Sequence, residues 1–386
     1  MMFLDRFALE RPAYETAQAR SFEWLAAAHT ESEARLSTEA DFDREHFAAR
    51  MNKVIPRCSC APDKIGRRGH VLDDFNHRRW SEMAIYDLES SPHGRGTGAR
   101  SRFFREYVLD YFRRSYSSIT AAPSDLVHVT CTGYVSPSGA QELVQERGWG
   151  AETHVTHAYH MGCYAAFPAL RIAAGALHAP RALPAATEAR VDIVHTELCS
   201  LHLDPSRHSP EQLVVQSLFA DGLIRYSASR DASGRALAVL ALEEAILPGS
   251  TDAMQWIASD WGMEMTLSRE VPERIAAALR GFVLGLYAQA GLDPAVEIRR
   301  SLFAIHPGGP KILDGTREVL ELREDQIGNS RDVLFQYGNM SSATLPHVWM
   351  QMVEEQAIPS GTLVASLAFG PGLTICGGLF RMQGSR

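Results

Sequence analysis

The chain is short of ordered cysteines, of excess charge and of long uncharged runs, and each shortage removes a class of protein. Its six cysteines (Cys58, Cys60, Cys131, Cys163, Cys199, Cys376) are scattered over 386 residues with no framework spacing. Reduced thiols in a reducing compartment are expected. Cys58-Ser-Cys60 lacks the second cysteine pair of a zinc site, and on a strand His154 and His157 would face opposite sides, so no metal site is expected. The 46 acidic and 38 basic residues give a net charge of -8, which argues against a general nucleic-acid binder. Asp5, Arg6, Glu10 and Arg11 interrupt any apolar run suited to a signal peptide, and a cytoplasmic location is the expectation. Pro359 to Phe380 carries no charge and is about long enough to span a bilayer. Gly370-Pro371-Gly372 breaks it, and the flanking Val364, Leu367, Phe369, Leu373 and Ile375 suit two buried strands joined by a tight turn, so no membrane span is expected.

What is present is ordinary globular composition, 45% hydrophobic and 22% charged. The length fits about two domains, or two halves sharing one core. The region up to about Tyr116 reads as mostly helical, with apolar spacings of three and four over Tyr14 to Ala28, Asp41 to Met51 and Arg102 to Phe112. Strands are expected at Leu126 to Thr130, His154 to Tyr159, Val191 to Leu203 and Ala236 to Leu242, with helices through Leu143 and over Tyr164 to Ala174. The second half repeats strand, turn and helix: a helix from Val271 to Gln289, a strand at Ser301 to Ile305, a helix from Pro310 to Leu320, and another from Ala343 to Gln356. This alternation predicts an α/β layered architecture with functional groups at strand-to-helix junctions.

Three segments set one reactive side chain among small or turn-forming residues. Cys163 follows Gly162 and opens an apolar run, where helix amides favour a thiolate below the usual value of about 8.5. The bland alternative is an inert buried cysteine. His306 precedes Pro307-Gly308-Gly309-Pro310, where an imidazole could pair with the thiolate and donate to an enolate. Asn339, in Tyr337-Gly338-Asn339-Met340-Ser341-Ser342, supplies a neutral N–H donor for the same oxyanion. Together they fit a Claisen condensation, in which a thioester is held on sulfur while a second thioester loses CO2 and attacks it. The basic run Arg67, Arg68, His77, Arg78, Arg79 reads first as a solvated face, with docking of coenzyme A or an acidic carrier protein as the alternative.

Cys163 in Gly-Cys-Tyr-Ala-Ala, His306 in His-Pro-Gly-Gly-Pro, Asn339 in Tyr-Gly-Asn-Met-Ser-Ser, Phe219 in Leu-Phe-Ala-Asp-Gly, and the stretch Phe369-Gly-Pro-Gly-Leu-Thr374 resemble the type III polyketide synthases, the chalcone synthase-like family. The resemblance runs from about residue 50 to 380. It implies a thiolase-like αβαβα five-layered fold of two similar halves, 1–228 carrying the cysteine and 229–386 carrying the histidine and asparagine. It also implies a homodimer, no bound cofactor, and acyl-CoA, malonyl-CoA or acyl-carrier-protein thioesters as substrates. Phe219 would gate the cavity, and Thr132, Tyr134, Cys199, Leu201, His202, Trp256, Met265, Phe369 and Gly370 would line it. Departures are clear: Ile55, Cys58 and Pro62 stand where plant enzymes place basic coenzyme A contacts, and Trp256 replaces a cavity glycine. Glu197-Leu-Cys-Ser-Leu-His202 resembles bacterial alkylpyrone and alkylresorcinol synthases, which implies aliphatic starters and a pyrone or resorcinol product. A ketosynthase joining two carrier-bound β-ketoacyl chains, a non-catalytic acyl-binding partner, and a plain hydrolase or acyltransferase using Cys and His remain alternatives.

Overall fold

The computed structural model describes residues 1–38, 42–179 and 188–384. The chain opens with β1 (Met2–Glu10) and β2 (Tyr14–Ala17), followed by α1 (Gln18–Leu36), α2 (Arg44–Cys58), β3 (Arg67–His70) and α3 (Thr97–Ser115). Next come β4 (Pro123–Thr130), α4 (Gly139–Glu146), β5 (His154–Tyr159), α5 (Ala166–His178), β6 (Glu188–Leu198), α6 (Pro210–Leu218), β7 (Asp221–Ser229) and β8 (Ala236–Ile246). A hairpin of β9 (Met254–Ser259) and β10 (Gly262–Leu267) leads into α7 (Val271–Gln289), the one-turn α8 (Pro294–Glu297), β11 (Leu302–Ile305), α9 (Pro310–Leu320), α10 (Gly328–Tyr337) and α11 (Thr344–Glu354). The strands β12 (Leu363–Gly370) and β13 (Thr374–Gln383) close the sequence.

Local chemistry sets several of these boundaries. Ser138 and Gln141 form a reciprocal capping box that starts α4. Asp43 caps α2 by accepting from His46 N, and Ser209 with Pro210 starts α6. In α7 the buried residues Val271, Ile275, Leu279, Val283 and Leu286 recur at helical spacing and turn one face to the core.

Nine strands make one sheet in the order β11-β12-β13-β8-β1-β7-β6-β4-β5. The pairs β4–β5, β4–β6 and β11–β12 are parallel, as their helical crossovers require, and the rest are antiparallel. β1 lies between β7 and β8 and joins strands of residues 1–228 to strands of residues 229–386. Packing falls into three clusters. The middle cluster holds α5 and α11 against strands from both sides of the sheet. Trp349 of α11 is fully buried there, edge-on to Phe167, Tyr226 and Phe380, with its Nε1–H donated to Ser366 Oγ at 2.8 Å. One flanking cluster packs α1 to α4, and the other packs α7 and α9. The helices thus pack in three groups against one large mixed sheet, with α5 and α11 in the middle group.

The N-terminal region departs from the helical expectation. Met2–Glu10 is a strand, because the buried Asp5 carboxylate that breaks its apolar pattern accepts from Ser233 N and Oγ at 2.7 and 2.8 Å. Tyr14 to Ala17 pairs with Arg67 to His70 before α1 begins. Asp41, where the second helix was expected to start, lies outside the described residues. The strand expected over Val191 to Leu203 ends at Leu198, and residues 199–202 form a turn of 3-10 helix. The uncharged segment 359–380 supplies β12 and most of β13, and among the described residues no helix is long and apolar enough to cross a membrane.

Candidate active site

The site is built where β5, β11 and β12 end. After β5, Gly162 takes φ 78° with its backbone against Pro371, so that a Cβ there would lie 2.5 Å from Pro371 Cδ. Gly162 N–H donates to Cys131 Sγ at 3.0 Å, which fixes the turn presenting Cys163. Cys163 lies in the 3-10 turn Gly162–Tyr164, ahead of α5 rather than in its first turn. It is 8% exposed, and its Sγ lies 4.0 Å from Ser341 Oγ.

Ser341 connects the sulfur to Asn339. The Ser341 N–H donates to Asn339 Oδ1 at 2.9 Å, which occupies the amide oxygen and leaves the NH2 as the outward donor. Asn339 is itself 2% exposed. Its backbone is clamped on both sides, with its N–H donated to Leu218 O at 3.1 Å and its carbonyl accepting from Ala220 N at 2.8 Å. Phe219 bridges it in between.

His306 follows β11, and its N–H donates to Leu367 O of β12 at 2.7 Å. β12 then runs three residues further to Gly370, where a Cβ would sit 2.4 Å from Tyr164 Cδ1 and 3.6 Å from Cys163 N. Sulfur and carboxamide are thus linked through Ser341, and the imidazole of His306, held beside β12 at the end of β11, is buried like them. The His306 ring is 1% exposed, and among the described residues neither Nδ1 nor Nε2 has a hydrogen-bond partner. A buried polar group left unpaired costs roughly 1–3 kcal/mol, so these nitrogens suit a partner that the protein itself does not supply.

Burial, with the Glu197 carboxyl adding to it, pushes the Cys163 thiol up to about 12. Burial alone pulls His306 down to about 3. The expected lowering of Cys163 is reversed, because desolvation outweighs the amides of the turn. The resting pair is a neutral thiol and a neutral imidazole, and such an imidazole can accept the thiol proton at one nitrogen and donate from the other.

A cavity of about 60 Å³ is lined by Phe219, Cys199, His202, Trp256 and Met265, five of the residues expected to line it, and by Arg68 and Gln216. Its volume suits on the order of four to six waters. Trp256 Nε1–H donates to Cys131 O at 2.7 Å and His202 Nε2–H to Thr132 O at 2.8 Å, tying the β9–β10 hairpin to the loop after β4. The other five lie elsewhere. Thr132 is buried with its hydroxyl on Glu197, Tyr134 is 45% exposed beside Tyr159 and His160, and Leu201 sits in the core with α1 to α4. Phe369 packs in the core with α7, and Gly370 touches Tyr164 and the Cys163 backbone.

Glu197 was not among the sequence candidates. Fully buried on β6, it accepts from Cys131 N at 3.0 Å and Thr132 Oγ1 at 3.1 Å and is bonded by Ser342 Oγ, while burial raises its pKa. Its signal in the sequence is an acid within a run of strand residues, a signal it shares with Asp192 of the same strand.

Residues 239–383 match the family described as chalcone and stilbene synthases, C-terminal domain. The chain is 31% identical over 265 residues to type III polyketide synthase C of Arabidopsis thaliana, covering 66% of each protein. Over these stretches the chain is similar to the chalcone synthase-like family of type III polyketide synthases. It is 28% identical over 252 residues to the 1,3,6,8-tetrahydroxynaphthalene synthase of Streptomyces coelicolor, covering 64% of each. The matched stretch thus spans less than two thirds of either relative's length. The fold agrees with the crystal structure of the C-terminal type III polyketide synthase domain of Steely1, a type I/III hybrid from Dictyostelium, with a TM-score of 0.80 at 23% identity over 98% of this chain and 99% of that one. The fold is accordingly α/β, of the thiolase-like type inferred from the motifs.

Proposed function

We propose that this chain catalyses decarboxylative condensation of an aliphatic acyl thioester with malonyl-CoA and closes the product to an alkyl α-pyrone or resorcinol. Cys163 would carry the acyl group: His306 takes the thiol proton, sulfur attacks the incoming thioester carbonyl, and the CoA or carrier thiol leaves with that proton. A malonyl thioester then loses CO2. The electrons of the broken carbon–carbon bond pass into an enolate, whose oxygen is met by the His306 N–H and the Asn339 NH2. The enolate carbon attacks the acyl thioester and releases Cys163. The single observation carrying this reading is the fully buried His306 ring with both nitrogens unpartnered among the described residues.

No bound cofactor enters this scheme, and the halves 1–228 and 229–386 would each supply part of the machinery. The working form would be a cytoplasmic homodimer, for which β5 leaves an exposed strand at the sheet edge. One observation favours a second reading, in which carrier proteins deliver two β-ketoacyl chains to be joined. Ile55, at a position where plant enzymes carry a coenzyme A contact, is buried in the core. Supplying acyl-CoA with malonyl-CoA and reading products by mass separates the two: pyrones support the first. Intact mass showing no adduct on Cys163 from any acyl thioester would defeat both.

A further inference from the structure

Arg68 was expected on a solvated face, yet it is half-buried with its guanidinium at the C-terminal end of α6. Its Nη1–H groups donate to Gln216 O at 3.0 Å and Phe219 O at 2.7 Å, and its Nε–H donates to Gln18 Oε1 at 2.9 Å. Gln18 in turn donates from Nε2 to Ser217 O at 2.8 Å and Cys60 O at 3.0 Å. The last carbonyls of α6, which a helix cannot satisfy internally, are therefore each assigned: Gln216 to Arg68, Ser217 to Gln18, and Leu218 to the Asn339 N–H. A cation at this end also meets the negative pole of the helix. Among the described residues no carboxylate forms an ion pair with Arg68, although Asp221 acts on it through space. Burial lowers it only to about 10, so it is charged at neutral pH. Asp221 is already engaged by Val71 N, Ser200 N and Ser200 Oγ.

We propose that Arg68 is a positioning residue, holding the Gln216–Phe219 carbonyls so that Leu218 O and Ala220 N clamp the Asn339 backbone at the enolate site. The role rests on the condensing reading above and acts through main chain. Because one guanidinium spans two carbonyls, a lysine point charge replaces it only in part. Displacement of a catalytic group by about 1 Å can cost about 10²-fold.

The test uses the full chain with Arg68→Met, Arg68→Lys, Asn339→Ala and the double variant Arg68→Met/Asn339→Ala. Malonyl-CoA decarboxylation and acyl loading of Cys163 from an acyl-CoA are read on each preparation. Arg68→Met is expected to slow decarboxylation about 10²-fold with loading retained, Arg68→Lys to recover part of that loss, and the double variant to fall no lower than Asn339→Ala. Multiplying losses in the double variant, or loading falling in step with decarboxylation, overturns the assignment. If Arg68→Met fails to fold, Arg68→Lys and its double with Asn339→Ala are read by the same criteria. Intact decarboxylation in Asn339→Ala alone would instead overturn the condensing reading, and the role of Arg68 with it.

Discussion

Asn339→Asp offers the sharpest probe of the enolate site. The substitution keeps the acceptor for Ser341 N–H, held at 2.9 Å, and nearly the same volume, so the loop retains its local anchor. It replaces the NH2 with a second oxygen at a position only 2% exposed. Loss of one oxyanion donor costs about 10²- to 10³-fold in rate, or about 2.7–4 kcal/mol. A negative oxygen facing a developing enolate adds repulsion, so Asn339→Asp should decarboxylate malonyl-CoA no faster than Asn339→Ala. Asn339→Ala also gives up the Ser341 bond, worth about 1 kcal/mol, and should melt slightly lower than wild type. Both variants should still load Cys163, since the thiol and His306 are untouched. Carbon dioxide release and intact mass of the acyl-enzyme, measured on the same preparations, decide the point. Wild-type decarboxylation in Asn339→Asp, or equal loss of loading and decarboxylation in both variants, would refute the reasoning.

Trp256→Gly removes a wall of the cavity and should shift product masses to longer chains; an unchanged product profile would show that the wall does not set length. Gly162→Ala forces a side chain into φ 78° and against Pro371, at a cost of about 1–3 kcal/mol for the backbone alone, so both melting temperature and loading should fall. The buried rings of His128, His195, His306 and His347 are held below their ordinary value of 6.5 by burial. The unfolded chain therefore takes up protons that the fold does not, and the stability present above pH 6.5 is lost as pH falls toward 4. Each group contributes about 1.4 kcal/mol per pH unit in that window, and four together contribute roughly 5. Circular dichroism should show unfolding within about two units below pH 6.5; a fold intact at pH 4 contradicts the assignment.

The local strand–turn–helix order was readable because apolar period and turn residues agree there. His154–Tyr159, Val271–Gln289 and Pro310–Leu320 fall at the expected limits. The candidate residues Cys163, His306 and Asn339 stand out in the sequence because each lies among glycines and small residues that allow close approach. Polar groups satisfied only by distant partners were not. Asp5 hides a strand by pairing with Ser233, and Arg68 looks like surface until α6 supplies its carbonyls. The wall formed by the β9–β10 hairpin was missed as an element, although Trp256 and Met265 within it were named. The state of Cys163 was misjudged for a related reason, because burial depends on the whole packing and the sequence displays only the neighbouring amides.

The placement of β1 carries one more consequence. Residues Met2 to Leu4 form the three rungs to β8, and the same strand pairs with β7 on its other flank. β1 thus serves as the keystone of an arch whose flanking stones, β7 and β8, follow more than two hundred residues later in the chain. Removing it would split the arch at its crown instead of fraying a rim, so a short N-terminal truncation should behave like a core lesion.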